Sequence, residues 1–269
     1  MGLGTLYGVG VGPSDPELIT IKGLRRIVKT PIVAFPAGLN GKLGVAEAIV
    51  QPWLHAHQVR LPLHCPSVQP DYAQSAYAQP AYAQLASPQP FQARPQSPLD
   101  TAWKSAAQKI LPYLEAGQDV VFIAEGDISF YSTFTYLAQA IKTAQPFAPI
   151  ETIPGICSPL AAAAELGLPL TLQGQRLAVL PTIDSVAELE TALKWADVVV
   201  LMNISSVYAE VWDVLKHHSL LEQSYVVERA TAASQRVYDH LQDWPNLKLP
   251  YFSLMIVKIR ENPGAREDR

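Results

Sequence analysis

The stretch "YGVGVGPSDPELITIKGL", residues 7–24, sets three glycines after a short apolar run and ahead of a helical pattern. Strand, glycine-rich turn and helix, in that order, open many nucleotide-binding α/β units. Gly8, Gly10 and Gly12 permit tight or left-handed backbone and leave room for something to lie against the turn. The third glycine of a dinucleotide fingerprint would fall at position 13, where this chain has Pro13. Proline presents an apolar face and no N–H, so the turn suits a ligand that carries no phosphate. A NAD site is disfavoured again by the next strand, which ends at Phe35 without the acidic residue that would take a ribose hydroxyl. On these residues alone, a plain strand-to-helix turn stays open as the alternative.

Outward from this turn, short β-branched runs alternate with helical patterns. The pattern predicts strands near Thr5–Val9, Pro31–Phe35, Gln58–Leu61, Asp119–Ala124, Ile150–Ile153, Arg176–Leu180, Asp197–Met202, Ser224–Glu228 and Tyr251–Ile259. Runs apolar throughout, such as "VVFIA" at 120–124, predict strands covered on both faces, as in parallel sheets. Leu18, Ile21, Leu24 and Val28 mark one helix, with Lys22, Arg25, Arg26 and Lys29 on its wetter side. Trp103, Ala106, Ala107, Ile110, Leu111 and Leu114 mark another. Asp100 is expected to cap the start of that helix and Gly117 to end it, with Pro112 kinking or shortening its last turn. The fold class implied is α/β. A first domain is expected over 1–148 and a second over 149–260, followed by a charged tail, 261–269. Residues 66–98, rich in proline, glutamine, alanine and tyrosine with a recurring "YAQ", read as a disordered insertion.

Nearly half of the 269 residues are hydrophobic and 16% are charged, enough for a sizeable core. A net charge of −4 argues against a general nucleic-acid binder. Cys65 and Cys157 are too few for a disulfide framework and suit a reducing cytosol. The amino terminus lacks a basic stretch followed by an apolar one, and no apolar run reaches bilayer length. A cytoplasmic protein, not tied to a membrane, is the expectation. His55, His57, His64 and Cys65 are ligand types, but no second cluster completes a tetrahedral set, so no metal is expected.

Two further stretches stand where ligands bind in α/β sheets, after strands. In "IAEGDISFYSTFTYL", 123–137, a buried-type strand runs into Glu125, Gly126 and Asp127, and a polar-aromatic segment then opens a helix. Gly126 allows close backbone approach; Asp127 accepts hydrogen bonds or caps the helix. In "TIPGICSPLAAAAELGLPL", 152–170, Pro154 and Gly155 make a turn, and Cys157 and Ser158 start an alanine-rich helix whose first N–H groups are unpaired.

Taken in order, these three stretches with "VVLMN" (199–203) and "VVERATAASQRV" (226–237) resemble the tetrapyrrole methylase family over nearly the whole chain, insertion and tail excepted. The resemblance implies two α/β domains with the active site in a cleft between them, S-adenosylmethionine as methyl donor, a tetrapyrrole as substrate and a homodimer. "GDISFYSTFTYL" and "LPYFSLMIVK" are most similar to members that methylate C20 of precorrin-2 or its cobalt-bearing counterpart in cobalamin synthesis. Carried over by position, the cofactor contacts would be Pro13, Glu125, Gly126, Asp127, Phe130, Cys157, Ser158, Met202 and Ala230. Tyr131, Ser132, Thr133 and Arg229 would face the substrate. Arg25, Arg60 and Arg236 join Arg229 as candidates, by type, for its carboxylates. No catalytic acid, base or nucleophile is implied, because the transfer depends on placement. Ile128 and Cys157 depart from the family pattern, and Phe35-Pro36 lacks the aspartate of relatives that methylate uroporphyrinogen. A sister methylase, a nucleotide-dependent oxidoreductase and a non-catalytic tetrapyrrole-binding scaffold are the competing readings.

Overall fold

In the computed structural model, which describes residues 2–38, 43–64, 98–183 and 185–260, the opening stretch forms the fourth strand of a five-stranded sheet. Its strands are β1 (Leu6–Gly10), β2 (Ile32–Pro36), β3 (Val59–Leu63), β4 (Val120–Ala124) and β5 (Ile150–Ile153), in the order β3-β2-β4-β1-β5. Every pairing is parallel. Helices α1 (Ile21–Lys29) and α2 (Val45–Val50) cover one face, setting Ile27, Ala46 and Ile49 against Val9, Val33 and Ile123. Helices α3 (Pro98–Glu115) and α4 (Phe134–Ala144) cover the other, setting Ile110, Leu114, Leu137 and Ile141 against Leu6, Ala34, Val120 and Phe122. Burial on both faces is why "VVFIA" shows no polar alternation.

Local details differ from the sequence expectations. Leu18 belongs to a separate 3₁₀ turn, Pro16–Leu18, and α1 starts only at Ile21, with Thr20 accepting from the Gly23 N–H at 3.1 Å. The helix therefore buries Gly23 and Ile27, and Ile21 is 70% exposed. Asp100 lies inside α3 and not at its cap, because Pro98 takes the first helical position, where a missing N–H costs nothing. Pro112 is accommodated without shortening the helix, which runs on to Glu115. Gly117 ends it with φ +76°; its N–H bonds Leu114 O at 3.0 Å and the Gln118 N–H bonds Tyr113 O at 2.9 Å. That pattern is a left-handed helix stop, open to glycine at little cost. Gly117→Ala is expected to cost about 1 kcal/mol, read as roughly 2–4 °C in Tm by calorimetry.

The contacts divide the chain into Met1–Ile156 and Cys157–Arg269. The division falls later than residue 148 because β5 pairs with β1 and so completes the first sheet. The second unit has its own five-stranded sheet, with β6 (Leu177–Leu180), β7 (Val198–Met202), β8 (Ser224–Glu228), β9 (Arg236–Tyr238) and β10 (Ser253–Lys258) in the order β6-β7-β10-β8-β9. Only β6 and β7 are parallel; β10 runs antiparallel to β7 and β8, and β9 antiparallel to β8. The apolar "VVVLM" of β7 thus sits in a mixed sheet rather than a parallel one. Helices α6 (Val186–Trp195) and α7 (Tyr208–His217) pack Leu189, Val211 and Leu215 against Val199, Val226 and Met255, and α5 (Ser158–Glu165) packs on β10. The expected tail, 261–269, and all but the last residue of the expected insertion, 66–98, lie outside the described residues.

Candidate functional site

In the first sheet, β1 connects leftward to β2 across β4, and β4 connects rightward to β5 across β1. The connections after β1 and β4 therefore lead to helices on opposite faces of the sheet, which makes the carboxyl ends of these two adjacent strands the usual ligand position in such sheets. Three loops meet there, after β1, β4 and β5.

Their backbones are locked together. Gly12 and Gly126 exchange hydrogen bonds, N–H to O at 3.1 Å and 2.8 Å, as an isolated antiparallel bridge. Both glycines have positive φ, +80° and +67°, a region that side chains resist. Gly10 and Gly155 are needed for closeness. A β-carbon on Gly10 would stand 2.6 Å from Gly126 O, and one on Gly155 would stand 2.3 Å from the same oxygen.

Asp127 ties two of these loops. Its Oδ1 accepts from the Ser129 N–H at 2.8 Å and from the Ser129 hydroxyl, and its Oδ2 accepts from the Gly155 N–H at 2.8 Å. Burial pushes this carboxyl up, but the hydrogen bonds from Ser129, Gly155 and Phe130 together outweigh it and hold the group below the ordinary aspartate range. Asp127 is not the cap of α4, because that helix starts only at Phe134, after Thr133. Glu125, partly buried, is raised by burial, against backbone hydrogen bonds that lower it; one comes from the Ala46 N–H of α2 at 3.3 Å. Pro13 is partly buried, and Phe130 packs edge-on against Tyr131 at 4.6 Å between ring centroids. Tyr131 is 47% exposed and held at φ +52°, a strained value for an aromatic residue. Ser132 Oγ accepts from the Phe134 N–H at 3.3 Å.

The three loops, 11–20, 125–133 and 154–157, carry Asp15, Glu17, Glu125 and Asp127 and no lysine, arginine or histidine. An anionic phosphate would find no cation on them, whereas a cationic sulfonium would find acidic groups. The residues present thus fit S-adenosylmethionine better than a dinucleotide.

The remaining expected residues lie in the second unit. Cys157 caps α5 through its backbone and Ser158 is its first residue; Met202 ends β7 and Ala230 is buried just after β8. Arg229 is exposed, at φ +45°. Of the other arginines considered, Arg25 is on α1, Arg60 is mid-strand on β3 and Arg236 opens β9 opposite Glu228. They lie on separate elements. Among the described residues no group of His, Cys, Asp and Glu could hold a metal ion, and no helix is long and apolar enough to cross a membrane. The stacked rings of His55 and His57 are both exposed.

Sequence reasoning passed over Ser129 and gave Gly155 only a turn. The signal for Ser129 was present in "DIS", where an aspartate two residues ahead of a serine forms a side-chain turn.

Residues 5–243 match the tetrapyrrole (corrin/porphyrin) methylases. A cobalamin biosynthesis protein CobIJ of Mycobacterium bovis is 34% identical over 98% of this chain and 46% of its own length. The chain thus spans about half the length of that relative. A precorrin-2 C(20)-methyltransferase of Sinorhizobium is 30% identical over 96% of both chains, and a cobalt-precorrin-2 C(20)-methyltransferase of Salmonella typhimurium is 29% identical over 94% of this chain and 96% of its own. Among solved structures, a cobalt precorrin-4 methyltransferase superposes with a TM-score of 0.65 at 18% identity over 94% of each chain. A uroporphyrin-III C-methyltransferase of Thermus thermophilus, complexed with S-adenyl homocysteine, gives 0.60 at 18% identity over 94% of this chain and 92% of its own. These likenesses establish the shared α/β fold.

Proposed function

The chain belongs to the tetrapyrrole (corrin/porphyrin) methylases, and from that premise we propose that it methylates C20 of precorrin-2, or of its cobalt-bearing counterpart, with S-adenosylmethionine as donor. The observation that carries the cofactor assignment is the set of loops at the carboxyl ends of β1, β4 and β5, joined through glycine backbones, including Pro13 and bearing acidic but no basic side chains. The choice of C20 rests on the relatives matched along almost their whole length.

The cofactor supplies a methyl group already activated on a positive sulfur. Pro13, Glu125, Gly126, Asp127 and Phe130 of the first unit are its proposed contacts, as are Cys157, Ser158, Met202 and Ala230 of the second. Tyr131, Ser132, Thr133 and Arg229 are proposed to meet the substrate. The chain's contribution is orientation: a nucleophilic carbon held in line, about 3–3.5 Å from the atom it attacks, gains most of the available rate from placement alone. Working as a homodimer belongs to the same proposal.

The test is incubation of the purified protein with methyl-labelled S-adenosylmethionine and precorrin-2, metal-free and cobalt-loaded. One added methyl, located at C20 by NMR, is the expected product. Label on another ring carbon would assign the chain to a sister reaction. Absence of transfer, with tight NAD binding and none of S-adenosylmethionine, would overturn the proposal entirely.

A further inference from the structure

At the carboxyl end of β8, the pairing of Glu228 with Ser253 continues one step further, the Arg229 N–H donating to Phe252 O at 2.8 Å. The Ser253 N–H donates to Tyr251 O at 2.9 Å, closing a tight turn centred on Phe252, and the Ser253 hydroxyl donates to Pro250 O at 2.7 Å. The backbone around Phe252 is therefore pinned on several sides. Its ring, set edge-on to Tyr251 at 5.2 Å, is nevertheless 48% exposed. Burial would stabilise a phenylalanine, so an exposed ring on a rigid turn contributes little to the fold.

Arg229 beside it is also held against its preference. It sits at φ +45° and Thr231 at φ +68°, both unfavourable for side-chain-bearing residues. The turn is clamped by Gln235, whose Oε1 accepts from the Thr231 N–H at 2.5 Å and whose Nε2 donates to Glu165 at 2.7 Å. The Arg229 side chain is exposed and makes no ion pair among the described residues. Met202, opposite Leu254, and buried Ala230 stand at the same end of this sheet.

We propose that Phe252 and Arg229 form a contact point for the tetrapyrrole: the Phe252 ring lies against the flat apolar face of the macrocycle, and the Arg229 guanidinium takes one of its peripheral carboxylates. The inference rests on the proposed function and adds Phe252 as a substrate-binding residue. A large aromatic on a preorganised backbone loses little entropy on binding, and a guanidinium matches a carboxylate bidentately.

The test is absorbance titration of the full chain with precorrin-2, alongside S-adenosylhomocysteine binding and Tm. Roughly 100 Å² of ring surface remains to be covered, so Phe252→Ala is expected to weaken the tetrapyrrole Kd about tenfold or more. S-adenosylhomocysteine affinity should stay within about twofold and Tm within about 2 °C, as for an exposed position. Phe252→Trp is expected to restore binding. Arg229→Gln should weaken binding about tenfold and flatten its dependence on salt, which Phe252→Ala leaves unchanged. A Phe252→Ala Kd within twofold of the parent would overturn the inference, as would a loss shared equally by S-adenosylhomocysteine or matched by a fall in Tm. The position of the added methyl tests the C20 reading separately: a product methylated elsewhere, with Phe252→Ala still weak, would sink that reading and keep this one.

Discussion

Gly155→Ala is expected to lower Tm by roughly 10 °C and to slow methyl transfer about 100-fold. The added β-carbon would lie 2.3 Å from Gly126 O and 2.7 Å from Gly10 C and O. All of these are backbone atoms at the ends of β4 and β1, so no flexible side chain can swing away. Overpacking of this kind costs about 3 kcal/mol, at about 2–4 °C per kcal/mol for a unit this size. Relief can come only by parting the three loops, and a misplacement near 1 Å of the groups that orient a reacting ligand costs about 100-fold in rate. Gly10→Ala, whose β-carbon would stand 2.6 Å from Gly126 O, should behave similarly. Gly2→Ala meets nothing within 4 Å and serves as the control, within about 0.5 kcal/mol of the parent. A Gly155→Ala protein with parental Tm and transfer rate would refute this account of the three loops.

Much of the fold that carries these loops is legible in the sequence, and what is not has local physical causes. Pro13 standing for a glycine removes a donor that phosphate needs, which is the signal in the sequence for a turn of another kind. The nine expected strands are visible because each is a short run with β-branched residues, set off from the helical patterns around it. Strand β9 is not, since "RVY" is three residues long with two of them exposed. Whether Asp127 caps α4 is not decided by "ISFYST", whose residues a helix tolerates, and the positive φ of Tyr131 that interrupts it leaves no mark in composition. The late domain boundary has a similar origin: "IETI" reads as a strand anywhere, and only its pairing with β1 assigns it to the first sheet. Hardest to foresee was the use of Asp127. A carboxylate after a strand suggests a ligand or a cap, whereas its partner Gly155 lies 28 residues away, a bond that sequence spacing does not encode.

Asp127→Asn is expected to cost about 1–2 kcal/mol of stability and to weaken S-adenosylmethionine binding about 10- to 100-fold, though it changes one oxygen to nitrogen. Both carboxylate oxygens act as acceptors, Oδ1 from Ser129 and Oδ2 from Gly155. Asparagine keeps one acceptor, and its NH₂ group would face a donor in place of the other. Hydrogen bonds to a charged group contribute about 1.5–3 kcal/mol each, less here because the carboxylate is partly solvated. The pH dependence separates this staple from simple packing. The folded carboxyl titrates below its ordinary 3.8, so its stabilisation is complete above that value, where it is ionised in both states. It is lost as pH falls through the lower, folded value. The stability gap between the parent and Asp127→Asn, measured by urea unfolding, should therefore be constant from about pH 5 to 8 and narrow in acid. Ser129→Ala, which leaves the Gly155 bond in place, should show less than half the loss in cofactor affinity. An Asp127→Asn protein that binds the cofactor like the parent, or a gap that widens in acid, would mean the two loops are held by something other than this carboxylate.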